Sequence, residues 1–274
     1  MTLENILRGE HKLTKKSRDV EEPKILFFDI ETAPNLAYVW GKYDQNVIAY
    51  DSQWYMLTYA YKWAGEKTTH GVALPDFKLY KKDPTNDKEL VKSVHQLFSE
   101  ADIIVAHNGD QFDIRKTNAR FLVQGLPPPE PYKTVDTKKV AKKHFNFNSN
   151  SLDDLGETLG LGRKDKHNKY QGFDLWLGCL KGDDAAWAEM VKYNRKDVDL
   201  LEKVYMKLRP WSTTHPNMAL YAGKELACTN CASDHVQRRG YSYTKTGKNQ
   251  RYQCLDCSAW SIERRAEKQR TKLK

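Results

Sequence analysis

The sequence contains no apolar run that approaches the roughly 20 residues needed to span a membrane, and Met1–Val20 lacks the apolar core of a secretory signal. The expectation is a protein that stays in a reducing cytoplasm and has no membrane partner. Cysteine is almost missing from the first four-fifths of the chain. Cys179 stands there alone, reading as a small buried residue, and the other four follow residue 227. His107, His144 and His167 have no ligand spacing, so no histidine-based metal centre is indicated. The chain also lacks the bias of a disordered one: 39% apolar and 30% charged residues make an ordinary soluble composition. In 274 residues there is space for one good-sized core or two unequal domains, but none for a polymerase.

What is present is positive charge, unevenly placed. Of a net +9, the stretch from Leu220 onward holds twelve Lys/Arg against five Asp/Glu, or +7. A basic tail on a nearly balanced body points to an anionic polymer, with nucleic acid ahead of an acidic membrane surface.

Ile25–Thr32 carries four apolar residues into Asp29, and Glu31 follows two positions later. This reads as a buried strand. Alternation along it puts both carboxylates on one face, with Phe28 and Ile30 on the other. Two acids sharing a face repel. A cation between them resolves the repulsion, and hard oxygen ligands suit Mg²⁺ or Mn²⁺. A strand running out into a polar loop is the plainer alternative for a lone D-x-E.

Along the chain, 1–23 reads as an N-terminal arm. Strands are expected at Tyr55–Trp63 and Lys67–Leu74, and an amphipathic helix over Asp87–Glu100. A strand over Ala101–Asn108 should pair parallel to the first, because a helix joins them. A helix over Phe112–Gln124 places Asp113 in its first turn, beyond a strand end where such sheets bind ligands. A short strand at Lys133–Val135, a basic helix over Asp136–Lys143 with Asp136 as N-cap, and a capped helix from Ser151 follow. A long helix over Asp183–Leu208 sets Tyr193 and Asp197 four apart on one face. Residues 210–223 read as a linker.

Together Asp29-x-Glu31, Asn108-x(3)-Phe112-Asp113 and Tyr193-x(3)-Asp197 resemble the three motifs of the DEDD 3'-5' exonucleases. The tyrosine marks the DEDDy subgroup, similar to ribonuclease D, the Werner-type exonucleases and the proofreading domains of family A and B DNA polymerases. The second motif is worded most like family B. The resemblance covers residues 24–208, and the exonuclease domain is taken as 24–209. It implies an α/β, ribonuclease H-like mixed sheet flanked by helices, and two Mg²⁺ or Mn²⁺ ions about 3.5–4 Å apart. Asp29, Glu31 and Asp197 would hold one ion; Asp29 and Asp113 would serve the other. Tyr193 would orient the attacking water, since a phenol of ordinary pKa near 10 is a poor base at neutral pH.

Asn108 is a candidate contact to the terminal nucleotide or a residue that holds its loop. Asp110 competes with Asp113 for the second-motif role, but Phe112 sets the register in favour of Asp113. Tyr38, Trp40, Tyr43 and Tyr50 could stack on bases, although core or rim packing is the commoner fate of aromatics in such a region. Arg163, Lys164, Lys166 and Lys169 could meet phosphates or simply face solvent.

The tail holds Cys228-x-x-Cys231 and Cys254-x-x-Cys257, 22 residues apart, the spacing of a four-thiolate zinc ribbon. The expected ribbon spans 224–261, with strands at Val236–Tyr243 and Gln250–Gln253 around a turn at Lys245–Lys248, and a basic tail at 262–274. It has too little apolar content to fold without metal. Arg238, Arg239 and Arg251, with Lys245, Lys248 and the cations after residue 263, would grip a nucleic-acid backbone; a protein-docking module is the alternative.

The expected function is a metal-dependent 3'-5' exonuclease on single-stranded DNA, with RNA as the other substrate, and with any proofreading, replication or repair role requiring a separate polymerase or replication protein. Such a small enzyme suits a virus acting in a host cytoplasm. A non-catalytic nucleic-acid adaptor and a structure-specific endonuclease are the competing readings.

Overall fold

The computed structural model describes residues 23–43, 46–163, 170–245 and 247–263. The arm, Lys164, Lys166, Lys169 and the basic tail from Arg264 lie outside the described residues, apart from Pro23 of the arm and Ile262 and Glu263 of the tail. The chain divides into two compact units, one over Lys24–Val204 and one from Tyr205 onward.

The first unit is built on a five-stranded mixed sheet. Its strands are β1 (Ile25–Thr32), β4 (Met56–Trp63), β5 (His70–Ala73), β6 (Ile103–Ala106) and β7 (Lys133–Asp136), in the order β5-β4-β1-β6-β7. β1 runs antiparallel to β4 and parallel to β6, and β6 runs parallel to β7. The crossover from β1 to β6 includes helix α1 (Lys88–Glu100), which buries Leu90, Val91, Val94, Leu97 and Phe98 as its i, i+3/i+4 stripe demands. Leu26, Phe28, Ile30, Tyr59 and Tyr61 join that core, and Phe28 meets Phe98 edge-on at 4.9 Å. Alternation then sends Asp29 and Glu31 to the opposite face of the sheet.

On that face lies helix α6 (Asp184–Leu208), preceded by α2 (Asp113–Val123), α3 (Thr137–His144), α4 (Leu152–Thr158) and α5 (Asp174–Leu180). Its approach depends on small residues across the strands. Asp29 pairs with Ala60, and Ala60 with Gly71. A Cβ at Gly71 would stand 2.8 Å from both Arg195 Cγ and Val191 Cγ1. The helix is further tied to the sheet by Thr69 donating to Asp199 and by a Lys62–Glu202 ion pair at 2.7 Å.

Two strands absent from the sequence reading, β2 (Leu36–Tyr38) and β3 (Ala49–Ser52), form a separate ribbon. The aromatics here do not pack into the core or its rim. Trp40 and Tyr43 are each 88% exposed, and Tyr38 and Tyr50 are more than half exposed. A two-stranded ribbon has no second layer against which to bury them.

In the second unit, β8 (Val236–Tyr243), β9 (Lys248–Cys254) and β10 (Trp260–Ile262) make an antiparallel sheet in the order β10-β9-β8. Residues 210–223 contain a short helix, α7 (Met218–Tyr221), whose first N–H donates to the carbonyl of Thr229 at 2.9 Å. No described helix is long and apolar enough to cross a membrane.

Candidate active site

β1 presents Asp29 and Glu31 near its carboxyl end, and α6 brings Asp197 to them. Carboxylate oxygens of these three residues all lie within 4.8 Å of one another. Asp197 is buried and the other two are half-buried. Three acids so close fit a hard divalent cation, which favours carboxylate oxygen and relieves their repulsion.

Asp113 stands beside this group but is not one of the three. Pairing between β1 and β6 ends at Phe27↔Val105, which leaves the later N–H groups on that edge without a strand partner. Asp113, buried at the start of α2, takes one of them, accepting from Ile30 N at 3.2 Å. The carboxylate is thereby held against the residue between Asp29 and Glu31. Asp110 is engaged elsewhere, in an ion pair with Lys139 at 2.7 Å. Tyr193 is half-buried, with its ring edge-on to Trp176 at 6.4 Å, and Trp176 stacks on exposed Phe173.

Asn108 has φ of 65°, a left-handed conformation that asparagine tolerates better than most residues. Its N–H donates to Asp136 Oδ1 at 3.0 Å, and its carbonyl accepts from Gln111 and Phe112. Asp136 is the N-cap of α3, accepting from Lys138 N and Lys139 N. The same buried carboxylate therefore also pins the loop that leads to Asp113. Gly109 is needed in that loop, because a Cβ there would meet Ala106 Cβ at 2.4 Å. His107 is a satisfied structural histidine, bonded to Thr137 Oγ1 and the Asn150 carbonyl.

Three residues of the neighbourhood carried no signal in the sequence. Asn194, fully buried on α6, donates from Nδ2 to Asp29 Oδ2 at 2.6 Å. Thr58, fully buried on β4 opposite Glu31, donates to Asn194 Oδ1 at 3.2 Å. Lys116 places its ammonium 4.0 Å from the ring centre of Trp54 and 5.2 Å from that of Phe112, and donates to Thr32 Oγ1 at 3.4 Å. Burial holds its pKa below the ordinary lysine value. Cys179 is buried, and burial pushes its thiol up to about 12, so it is no nucleophile.

In the second unit the sulfurs of Cys228, Cys231, Cys254 and Cys257 form one cluster. Cys228 lies 3.6 Å from Cys257 and Cys231 lies 3.7 Å from Cys254, Sγ to Sγ. Disulfides would bring these atoms to about 2 Å. A tetrahedron of sulfurs about 2.3 Å from a zinc ion has edges near 3.8 Å, so the cluster fits that ion. Arg238, Arg239 and Arg251 are exposed on the ribbon, with Arg251 over the Trp260 ring at 5.4 Å.

A mixed sheet with acids converging on its first strand defines the ribonuclease H-like class of fold. Residues 61–209, more than half of the 274, match the RNase_H_2 family, described as RNase_H superfamily, and the chain belongs to that superfamily. No curated protein matches it. Among solved structures, the family B DNA polymerase from the hyperthermophilic archaeon Pyrobaculum calidifontis is similar at 12% identity and a TM-score of 0.48. That match covers 82% of this chain and 32% of the polymerase chain. Membership of the superfamily supports nuclease chemistry on nucleic acid.

Proposed function

We propose that the protein is a divalent-metal-dependent 3'-5' exonuclease of the DEDDy type, acting on single-stranded nucleic acid, DNA in the first place. The observation that carries this reading is the convergence of Asp29, Glu31 and Asp197, from two elements remote in sequence, to within 4.8 Å. Asp29, Glu31 and Asp197 hold one Mg²⁺ or Mn²⁺, and Asp29 with Asp113 serves a second. Bound there, such ions stabilise the attacking and leaving oxygens of a displacement at phosphorus. The chain's own contribution is placement. Tyr193, one helical turn before Asp197, orients the attacking water, and Asn108 holds the loop that carries Asp113. Phe112, Trp54 and Lys116 line the approach beside Thr32, where aromatic faces and an ammonium suit a base and its phosphate.

A Zn²⁺ held by the four cysteines makes the ribbon fold, and Arg238, Arg239 and Arg251 on it add a sequence-independent grip on the backbone. DNA is preferred to RNA because the second motif is worded like family B proofreading domains. A proofreading or repair role requires a separate polymerase or replication protein.

The test is degradation of matched 5'-labelled single-stranded DNA and RNA in Mg²⁺ or Mn²⁺, with Asp29→Ala as control. Stepwise shortening that the variant abolishes is expected, while Tyr193→Phe retains more activity than any carboxylate variant. A single internal product would replace this reading with an endonuclease. Unchanged strands that nonetheless shift in a gel would replace it with an adaptor.

A further inference from the structure

We infer that Asn194 is a positioning residue for Asp29, an amide clamp that Thr58 braces from its other end and whose effect is on cation affinity. The inference rests on the metal-centre reading above and deepens it. Asn194 and Asp197 are three apart on α6, so the turn that delivers the third acid also delivers the amide. Space for it comes from the strand pairing. Asp29 is opposite Ala60, whose methyl leaves room on that face, and Glu31 is opposite Thr58.

The orientation of the amide follows from the chemistry of its neighbours. An ionised carboxylate only accepts, so Asp29 Oδ2 at 2.6 Å requires the NH₂ end. The other end, Oδ1, takes the Thr58 hydroxyl at 3.2 Å. A flipped amide would set oxygen against oxygen at Asp29 and lose that bond, whereas the Thr58 hydroxyl, which can donate or accept, would meet either end. With Thr58 and Asn194 fully buried, no water replaces them, and each lost bond costs the desolvation of its partner.

Neutrality is what distinguishes this donor. Lysine or arginine at this position would also orient Asp29 but would cancel one of the three charges that attract the cation. An amide supplies the N–H and leaves that charge intact. A carboxylate has about four lone-pair sites, so one donor at Oδ2 leaves capacity for a metal. Partners that orient a ligand in this way are typically worth about 10–100-fold in metal affinity.

The experiment is a Mn²⁺ titration of the full chain followed by electron paramagnetic resonance, with thermal unfolding and cleavage of a labelled single strand on the same samples. The set is wild type, Asp29→Ala, Asn194→Ala, Asn194→Leu and Thr58→Val. Leucine keeps the branched heavy-atom skeleton of Asn194 and valine that of Thr58, so these two fill the space if alanine loosens it. A 10–100-fold loss of Mn²⁺ affinity is expected in both Asn194 variants and a smaller loss in Thr58→Val. The KM for nucleic acid at saturating metal should stay at the wild-type value. A merely structural role would lower the melting temperature and leave the affinity of folded protein unchanged, and that result overturns the clamp. If wild type binds Mn²⁺ and Asp29→Ala does not, but folded Asn194→Leu binds like wild type, the clamp alone fails. Wild type that neither binds Mn²⁺ nor cleaves overturns the metal-centre reading and the clamp with it.

Discussion

Replacing Gly71 by alanine should disturb a centre that this residue never touches. A Cβ at position 71 falls 2.8 Å from Arg195 Cγ and from Val191 Cγ1, against the 3.4 Å or more of ordinary contacts, an overlap of 0.6 Å on each. The Arg195 stem is exposed and can swing aside. Val191 is β-branched and stiff about χ1 in a helix, so relief there requires the helix itself to retreat. Overpacking of this kind costs about 1–3 kcal/mol. Removing glycine freedom from the unfolded chain returns about 0.4–1 kcal/mol. The net is a destabilisation of up to about 2.6 kcal/mol, about 1.3 kcal/mol at mid-range, and for a domain of this size each kcal/mol lowers the melting temperature by about 2–4 °C. The turn that retreats is the one bearing Tyr193, Asn194 and Asp197, so Mn²⁺ affinity and cleavage rate should fall with it. Thermal unfolding and Mn²⁺ titration would be read for Gly71→Ala beside Gly41→Ala, where nothing lies within 4 Å of the added methyl, so that only the small gain from lost glycine freedom and no change in Mn²⁺ affinity are expected. A Gly71→Ala protein that melts at or above the wild-type temperature and binds Mn²⁺ equally well would refute the close-approach argument.

Four further outcomes are expected. Stripping metal from the second unit with a chelator, or Cys228→Ser, should release one zinc per chain in a colorimetric assay and collapse the amide resonances of β8–β10, because the buried cluster there is only Cys228, Cys254 and Ala259, with Cys231, Val236 and Cys257 half-buried against it. Arg238→Ala, Arg239→Ala and Arg251→Ala combined should flatten the plot of log affinity against log salt by about 2 for a single strand, with maximal rate retained. Lys116→Ala should raise KM for the strand several-fold with little change in kcat, measured by initial rates; a collapse of kcat alone would place the ammonium in the chemistry instead. His215 is held neutral, its Nδ1–H donating to the Pro216 carbonyl at 2.8 Å and its Nε2 accepting from Tyr205 at 2.7 Å, and burial pushes its pKa down from 6.5 to about 4. The unfolded chain therefore binds the proton first: the contribution is complete above pH 6.5 and is lost as pH falls towards 4, by about 2 kcal/mol at pH 5. Urea unfolding of the zinc-loaded protein should show that difference between wild type and His215→Gln.

The elements that announce themselves in the sequence are those whose burial is one-sided and regular. β1, β4 and β6 are apolar runs of strand length, α1 has an unbroken helical stripe, and α6 is long enough for its period to be unambiguous. The β2–β3 ribbon was not legible because its aromatics suggest a core face while no second layer exists to receive them. That is a fact about what surrounds the ribbon, and nothing in residues 36–52 encodes it. The α5 segment lay hidden for a related reason: only Leu175 and Cys179 of its seven residues are buried, too few to set a period.

The acids make the same point about the site. Asp87, Asp110, Asp136 and Asp197 are the same residue type, and local sequence separates them poorly. Asp87 is fully buried and bound by Arg120, Gln124 and the Met56 N–H; Asp110 meets Lys139; Asp136 accepts four backbone N–H groups, two from its own helix and two from the loop at Asn108 and Asp110. In each case the protein supplies the compensating cation or donors, and the carboxylate is structural. Asp29, Glu31 and Asp197 differ in bringing three carboxylates within 4.8 Å of one another, an arrangement that could hold a cation. These three could be grouped from the sequence because D-x-E and Y-x(3)-D resemble family motifs, and on a strand and a helix those patterns encode which way the side chains point. Spacing could not find Asn194 or Thr58, whose bond joins residues 136 apart and exists only once α6 has settled on the sheet. The three acids are local features of the sequence, whereas what aims them is a product of packing.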